Sequence, residues 1–144
     1  MCIRDRDINY HIYGSPKYLE KHGFPKSTSD LNKHSFISFG RGAPSPVYNP
    51  DWALKLGTKD NKKRKTVMKV NSVYGLLLAV QSGVGLAALP DYITVNQPNI
   101  VKVLPNIEGP ITEAHFVYPQ SMKNVARVQA FRNFLYSKIS EWEF

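Results

Sequence analysis

With a single cysteine, Cys2, in 144 residues, the chain can form no internal disulfide and has no thiolate set for a metal. It also lacks the ~20 consecutive apolar residues that a membrane-spanning helix needs. Its longest apolar stretches, 76–80 and 84–90, have the length of core elements. Near the N-terminus Asp5, Arg6, Asp7 and Asn9 interrupt any apolar segment, so no secretory signal is legible. These absences make a reducing, cytoplasmic location the expectation. No G-x-S-x-G, H-E-x-x-H or P-loop pattern occurs, and His11, His22, His34 and His115 stand without metal-ligand spacing. No catalytic residue, metal site or cofactor is therefore expected, and the chain does not read as an enzyme.

Acidic residues are the scarcer charge: 11 Asp and Glu against 19 Lys and Arg give a formal charge of +8. Such a balance favours acidic partners, nucleic acid among them, but a solvated basic surface is its commoner cause. The composition is otherwise that of a globular domain, 42% hydrophobic and 21% charged, and the length suits one domain. The opening Met1-Cys2-Ile3-Arg4-Asp5-Arg6 shows neither a cap nor alternation. Residues 1–6 read as a non-native leader.

Ile8, Tyr10 and Ile12 alternate with other residues as a strand does, and Gly14 ends the pattern. Ser15 and Pro16 have the N-cap and first-turn chemistry of a helix that runs to Gly23, a residue suited to follow a helix end. Ser27 to Asp30 resembles a capping box and starts a short helical turn. Residues 35–39 predict a strand and 41–50 a loop rich in Gly and Pro. Trp52, Leu54 and Leu56 alternate and predict a strand, as does 67–70; with the charged segment 59–65 between them, the pair predicts a β-hairpin. Ser72 caps a helix predicted over 73–82, apolar almost all round and so expected to be buried. Gly83 ends that helix. Residues 86–89 predict a buried strand, and 100–104 and 114–118 predict two more. Val125, Val128, Phe131 and Leu135 recur at helical spacing and predict a C-terminal helix from Met122. Strands alternating with helices make the fold class α/β.

Gly83-Val84-Gly85-Leu86-Ala87-Ala88 has the spacing of a dinucleotide-binding loop. That chemistry needs strand, loop and helix in this order, so that phosphate meets a helix N-terminus. Here the helix comes first, so Gly83 reads as a helix stop and Gly85 as a close backbone approach. The run Lys59-Asp60-Asn61-Lys62-Lys63-Arg64-Lys65 carries no interleaved aromatic for stacking a base, and a solvated turn is its expected role. Asn71-Ser72 is different, because a strand feeds the turn and a helix leaves it. Free backbone N–H groups there can hold an anion, although a plain N-cap is the simpler reading.

Four segments, read in order, carry a resemblance. They are Gly14-Ser15-Pro16-Lys17-Tyr18-Leu19-Glu20-Lys21-His22-Gly23-Phe24-Pro25 with Asp30-Leu31 and His34; Val70-Asn71-Ser72 with 79–92; Ile100-Val101-Lys102-Val103-Leu104-Pro105; and His115-Phe116-Val117-Tyr118-Pro119 with Val128, Ala130-Phe131 and Phe134-Leu135. Together they resemble the regulatory half of LysR-type transcriptional regulators, from about Tyr13 to Phe144. One departure is Arg127-Val128-Gln129, where the family has Lys-Val-Arg.

The resemblance implies a periplasmic-binding-protein-like (type 2) effector domain. Residues 7–112 would be the second regulatory subdomain with a crossover strand, and 113–144 the return strand and C-terminal helix of the first regulatory subdomain. The family's helix-turn-helix, its linker helix and most of the first subdomain have no counterpart in the sequence. Phe116, Phe131 and Leu135 would then present uncovered apolar faces. The resemblance further implies a sensor that binds a small anionic effector in an interlobe cleft and shifts lobe orientation. DNA would be touched only through the N-terminal domain missing here, a homo-oligomer (dimer or tetramer) is implied, and no membrane contact. Strand C-termini and helix N-termini face the ligand in such folds. That singles out Ser38, Phe39, Gly40, Arg41, Asn71, Ser72, Leu89 and Pro90 as effector-binding residues. A stand-alone solute-binding protein of a transport system shares the fold, but needs the secretory signal.

Overall fold

The structure, a computed structural model, describes residues 2–40, 49 and 51–141, with side chains from residue 7 onward except at position 61. The elements are β1 (Cys2–Ile8), β2 (Tyr10–Gly14), α1 (Pro16–His22), β3 (Phe36–Phe39), α2 (Trp52–Lys55), β4 (Thr66–Val70), α3 (Val73–Gln81), β5 (Ala87–Pro90), β6 (Val101–Val103), β7 (Thr112–Val117) and α4 (Ala126–Ser140), with short 3-10 turns between them. They form two compact units, one of Asn9–Pro110 and one of Met1–Ile8 with Ile111–Phe144.

In the larger unit the strands lie in the order β4-β3-β5-β2-β6. β4 pairs parallel with β3, Leu86 bridges Phe36 in the parallel sense just ahead of β5, and β2 runs antiparallel between β5 and β6. All five residues of β2 are buried, because helices and turns cover it on both faces. Ile12 belongs to a core with Tyr18, Phe36, Leu54 and Leu86. Tyr13 faces the opposite core with Ile37, Leu76, Leu77 and Val80. Successive residues Ile12 and Tyr13 of β2 therefore face two cores, not core and solvent.

The chain leaves β3 through α2 to reach β4 on one side, then leaves β4 through α3 to reach β5 on the other side. α2 packs on the Phe36 core and α3 on the Ile37 core, so the sheet is wound on both faces. The predicted hairpin does not form. Ala53 and Leu54, adjacent in sequence, are both buried in the Phe36 core; one helical turn permits that, whereas a strand would send them to opposite faces. Residues 52–55 are accordingly helical, and β4 pairs parallel with β3 instead of folding back on them.

The expected caps form. Ser15 Oγ accepts from the Tyr18 N–H at 3.2 Å, and Ser72 Oγ accepts from the Gly75 N–H at 3.3 Å. Gly83 follows α3 with φ +80°, and a Cβ at Gly85 would stand 2.5 Å from the Ser35 carbonyl oxygen, so both glycines serve backbone geometry. α3 is not buried all round, as the sequence suggested. Leu76, Leu77 and Val80 face the core while Tyr74 and Leu78 are exposed.

Tyr18 ties α1 to the turn after it. Its ring stacks on His22 at 4.5 Å and tilts against His34 at 5.7 Å, and its hydroxyl accepts from the Ser35 N–H at 2.8 Å. Burial, then the neighbouring His22, lowers the His34 pKa, with Lys33 adding to the effect and Asp30 opposing it. The fold thus holds His34 neutral. Its contribution is complete above the ordinary histidine value and is lost as pH falls through the lowered one. We expect the melting temperature to drop as pH falls below the ordinary histidine value of about 6.5, and to drop less in His34→Gln. Parallel pH profiles of the two proteins would contradict this.

In the smaller unit β1 and β7 are antiparallel, from Cys2 opposite Val117 to Ile8 opposite Thr112, with a register shift between Arg4 and Arg6. Phe116 touches Tyr118 and Phe131, at ring separations of 5.5 and 5.9 Å. Val117, Phe131 and Phe134 are exposed.

Candidate functional site

β3 is where the winding reverses, and open α/β sheets take ligands beyond the carboxyl ends of strands at such a point. A shallow hollow lies there, largely open to solvent. Ser38 and Phe39 at the end of β3, Pro90 at the end of β5 and Val73 at the start of α3 line it. Tyr10, Phe36, Trp52, Leu54, Leu76 and Ala88 make its walls largely apolar. Trp52 is held in place by Gly109, where a Cβ would stand 2.5 Å from the indole ring. The buried indole N–H has no acceptor among the described residues. A second hollow of about 370 Å³ shares Ser38, Phe39 and Leu54 with the first, and is lined otherwise by Asp51, Lys63, Arg64, Thr66 and Lys69.

The basic segment is only partly the solvated turn expected from its sequence. Lys63 pairs with Asp51. Arg64 turns inward and spends its guanidinium on four acceptors: the carbonyls of Ala53, Thr28 and Leu56, at 3.0, 3.2 and 2.6 Å, and Asn32 Oδ1 at 2.9 Å. It also lies 5.5 Å from the centre of the Phe36 ring. None of these partners is a carboxylate, so its charge is not neutralised by them.

On the Ile37 face a buried polar group closes the end of the sheet. Asp91 Oδ1 accepts from the Tyr13 hydroxyl at 2.9 Å and lies 2.8 Å from His11 Nδ1, while Asp91 Oδ2 meets Lys102 Nζ at 3.1 Å. His11 and Asp91 are both buried. Burial in the first place raises the Tyr13 phenol above its ordinary range, which keeps it a donor. This group joins β2, β6 and the turn after β5; it lines neither hollow.

Of the residues singled out from the sequence, Ser38, Phe39 and Pro90 line the larger hollow. The Gly40 N–H donates to the Val70 carbonyl at 2.9 Å, which sets Gly40 beside Asn71. Ser72 caps α3 next to Val73. Leu89 is fully enclosed in the Ile37 core, and Arg41 lies outside the described residues. Tyr10, Trp52 and Leu54 were not singled out; only their aromatic or apolar character signalled them, and that signal reads equally as core. Among the described residues no group of three His, Cys, Asp or Glu is placed to hold a metal, and no helix is long and apolar enough to cross a membrane.

The model of the LysR substrate binding domain matches residues 6–139. An uncharacterized HTH-type transcriptional regulator of Haemophilus influenzae is 31% identical over 113 residues, which cover 76% of this chain and 38% of that protein. The HTH-type transcriptional regulator CrgA of Neisseria meningitidis is 25% identical over 92% of this chain and 44% of its own length. The chain thus spans about two fifths of these relatives. The solved CrgA regulatory domain superposes with a TM-score of 0.79 at 22% identity, covering 96% of this chain and 68% of that one. The effector domain of AmpR from Pseudomonas aeruginosa gives 0.66 at 17%, over 96% and 65%. Both likenesses establish the periplasmic-binding-protein-like α/β fold expected from the motifs. With the motif order, the strand order and the family model in agreement, the chain belongs to the LysR substrate-binding domain family, whose members are transcriptional regulators.

Proposed function

We propose that the chain is the effector-sensing part of a cytoplasmic LysR-type regulator, and that a small anionic molecule binds to its Asn9–Pro110 unit. The observation that carries this reading is the hollow at the carboxyl ends of β3 and β5, where the winding of the sheet reverses. Ser38, Phe39 and Pro90 line it and are the proposed contacts; Gly40, Asn71 and Ser72 flank it at the neighbouring turn, and Arg41 and Leu89 complete the set read from the sequence. The chain performs no catalysis in this reading. Ligand binding favours one arrangement of a homo-oligomeric regulator, dimer or tetramer, and DNA is contacted by a separate N-terminal domain. Residues 7–112 and 113–144 are proposed as parts of the second and first regulatory subdomains.

Ala88 lines the hollow without being fully buried, so Ala88→Leu should fill it from one wall. In the full-length regulator this variant should keep operator binding and lose at least about tenfold in inducer sensitivity, the usual consequence of obstructing an apolar site by more than about 1.4 kcal/mol. Gel shift and promoter-reporter titration measure the two properties. An unchanged inducer response would refute the site.

A further inference from the structure

We infer that the ligand is an apolar-bodied monoanion and that Lys69, rather than the capped start of α3, is the residue that recognises its acid group. The inference rests on the proposed effector site and deepens it. The larger hollow offers aromatic and aliphatic walls and little polarity, which suits a hydrocarbon body. Across Ser38 and Leu54 lies the basic hollow. There Lys63 already has Asp51 as its partner, and the acceptors of Arg64 carry no charge to offset it. Three cations against one carboxylate leave the hollow electropositive, and the field of a partly buried guanidinium is poorly screened.

Among the described residues of this hollow, Lys69 is the cation free to meet a ligand. It stands opposite Ser38 in the β3–β4 register, on the wall where the two hollows adjoin, and its exposed amine retains the freedom to reach. Ser72, by contrast, lines neither hollow, and its hydroxyl oxygen is already engaged by the Gly75 N–H. A molecule with its body against the partly exposed Trp52 ring and its carboxylate toward Lys69 satisfies both environments. Dianions and sugars do not: a second charge or a ring of hydroxyls would be stranded among apolar walls.

The test is a titration of the purified chain, followed by amide NMR, with phenylpropanoate, hexanoate and cyclohexanecarboxylate, each compared with the alcohol of the same body. At least one acid should bind, its alcohol about tenfold more weakly, because a hydrogen bond to a charged group is lost. Lys69→Met should weaken the acid by about tenfold and leave the alcohol unchanged, while Ser72→Ala should change the acid by less than about threefold. Acid binding untouched by Lys69→Met, or a main loss in Ser72→Ala, would overturn the inference. If acid and alcohol bind alike, the hollow keeps its role as a ligand site and only the anion assignment falls. If none of the six compounds binds, the inference falls together with the site it rests on.

Discussion

Arg64→Ala should destabilise the Asn9–Pro110 unit by about 4 kcal/mol, although the residue sits in a stretch that reads as solvated lysines. The reason is the set of groups it would abandon. Three backbone carbonyls and the Asn32 amide oxygen lose their donor together. A hydrogen bond to a charged group contributes about 1.5–3 kcal/mol, and an unpaired buried acceptor costs about 1–3 kcal/mol. These terms are not additive, since water reaches part of the cleared space. Arg64→Lys should recover less than half of the loss. An ammonium is a point donor and cannot span acceptors from the turn at Thr28 to the end of α2. Urea unfolding measures both variants; a shift below about 1 kcal/mol for alanine would mean that the clamp is ornamental.

The second large effect is expected at Asp91. Its carboxylate gathers the Tyr13 hydroxyl, the His11 imidazole and the Lys102 ammonium at one buried end of the sheet. Asp91→Ala removes their common acceptor and leaves Lys102, about one third exposed, without its counter-charge. Breaking one partner from a fully buried pair costs about 3–5 kcal/mol; solvent reaches Lys102, so a loss of about 2 kcal/mol is expected here. Asp91→Asn should be milder, since it keeps a carbonyl oxygen for Tyr13 or His11. The double variant Asp91→Ala with Lys102→Met should lose less than the sum of the two single losses, because the stranded charge is gone. Additive losses would show that the two side chains do not act as a pair.

Where local chemistry decides the structure, the sequence was readable. Ser15 and Ser72 cap the helices they were expected to cap, Gly23 and Gly83 end them, and Gly85 is where the backbone passes closest to Ser35. Elements that depend on distant partners were not. Trp52, Leu54 and Leu56 alternate as a strand would, but the Phe36 core needs Ala53 and Leu54 together, and tertiary packing outweighs the short pattern. The hairpin then fails, since β4 finds its partner in β3, about thirty residues upstream. Arg64 was hidden for a related reason: nothing in a run of basic residues marks the one that turns inward. Of the hollow's lining, the strand-end residues Ser38, Phe39 and Pro90 were legible from the topology that the motifs implied. Tyr10 and Trp52 were not, because a cavity wall and a filled core call for the same side chains.

The most direct test of the account is to find where a small apolar acid attaches to the chain. A phenylalkanoate carrying a photoreactive diazirine, activated in the presence of the protein and mapped by peptide mass spectrometry, locates the site whatever the natural effector is. Adducts are expected on the peptides that contain Phe36–Phe39, Trp52–Lys55 and Val73, competed away by excess unlabelled acid. Competable adducts confined to the Ile111–Phe144 segment, or labelling that excess acid does not reduce, would contradict the proposed site.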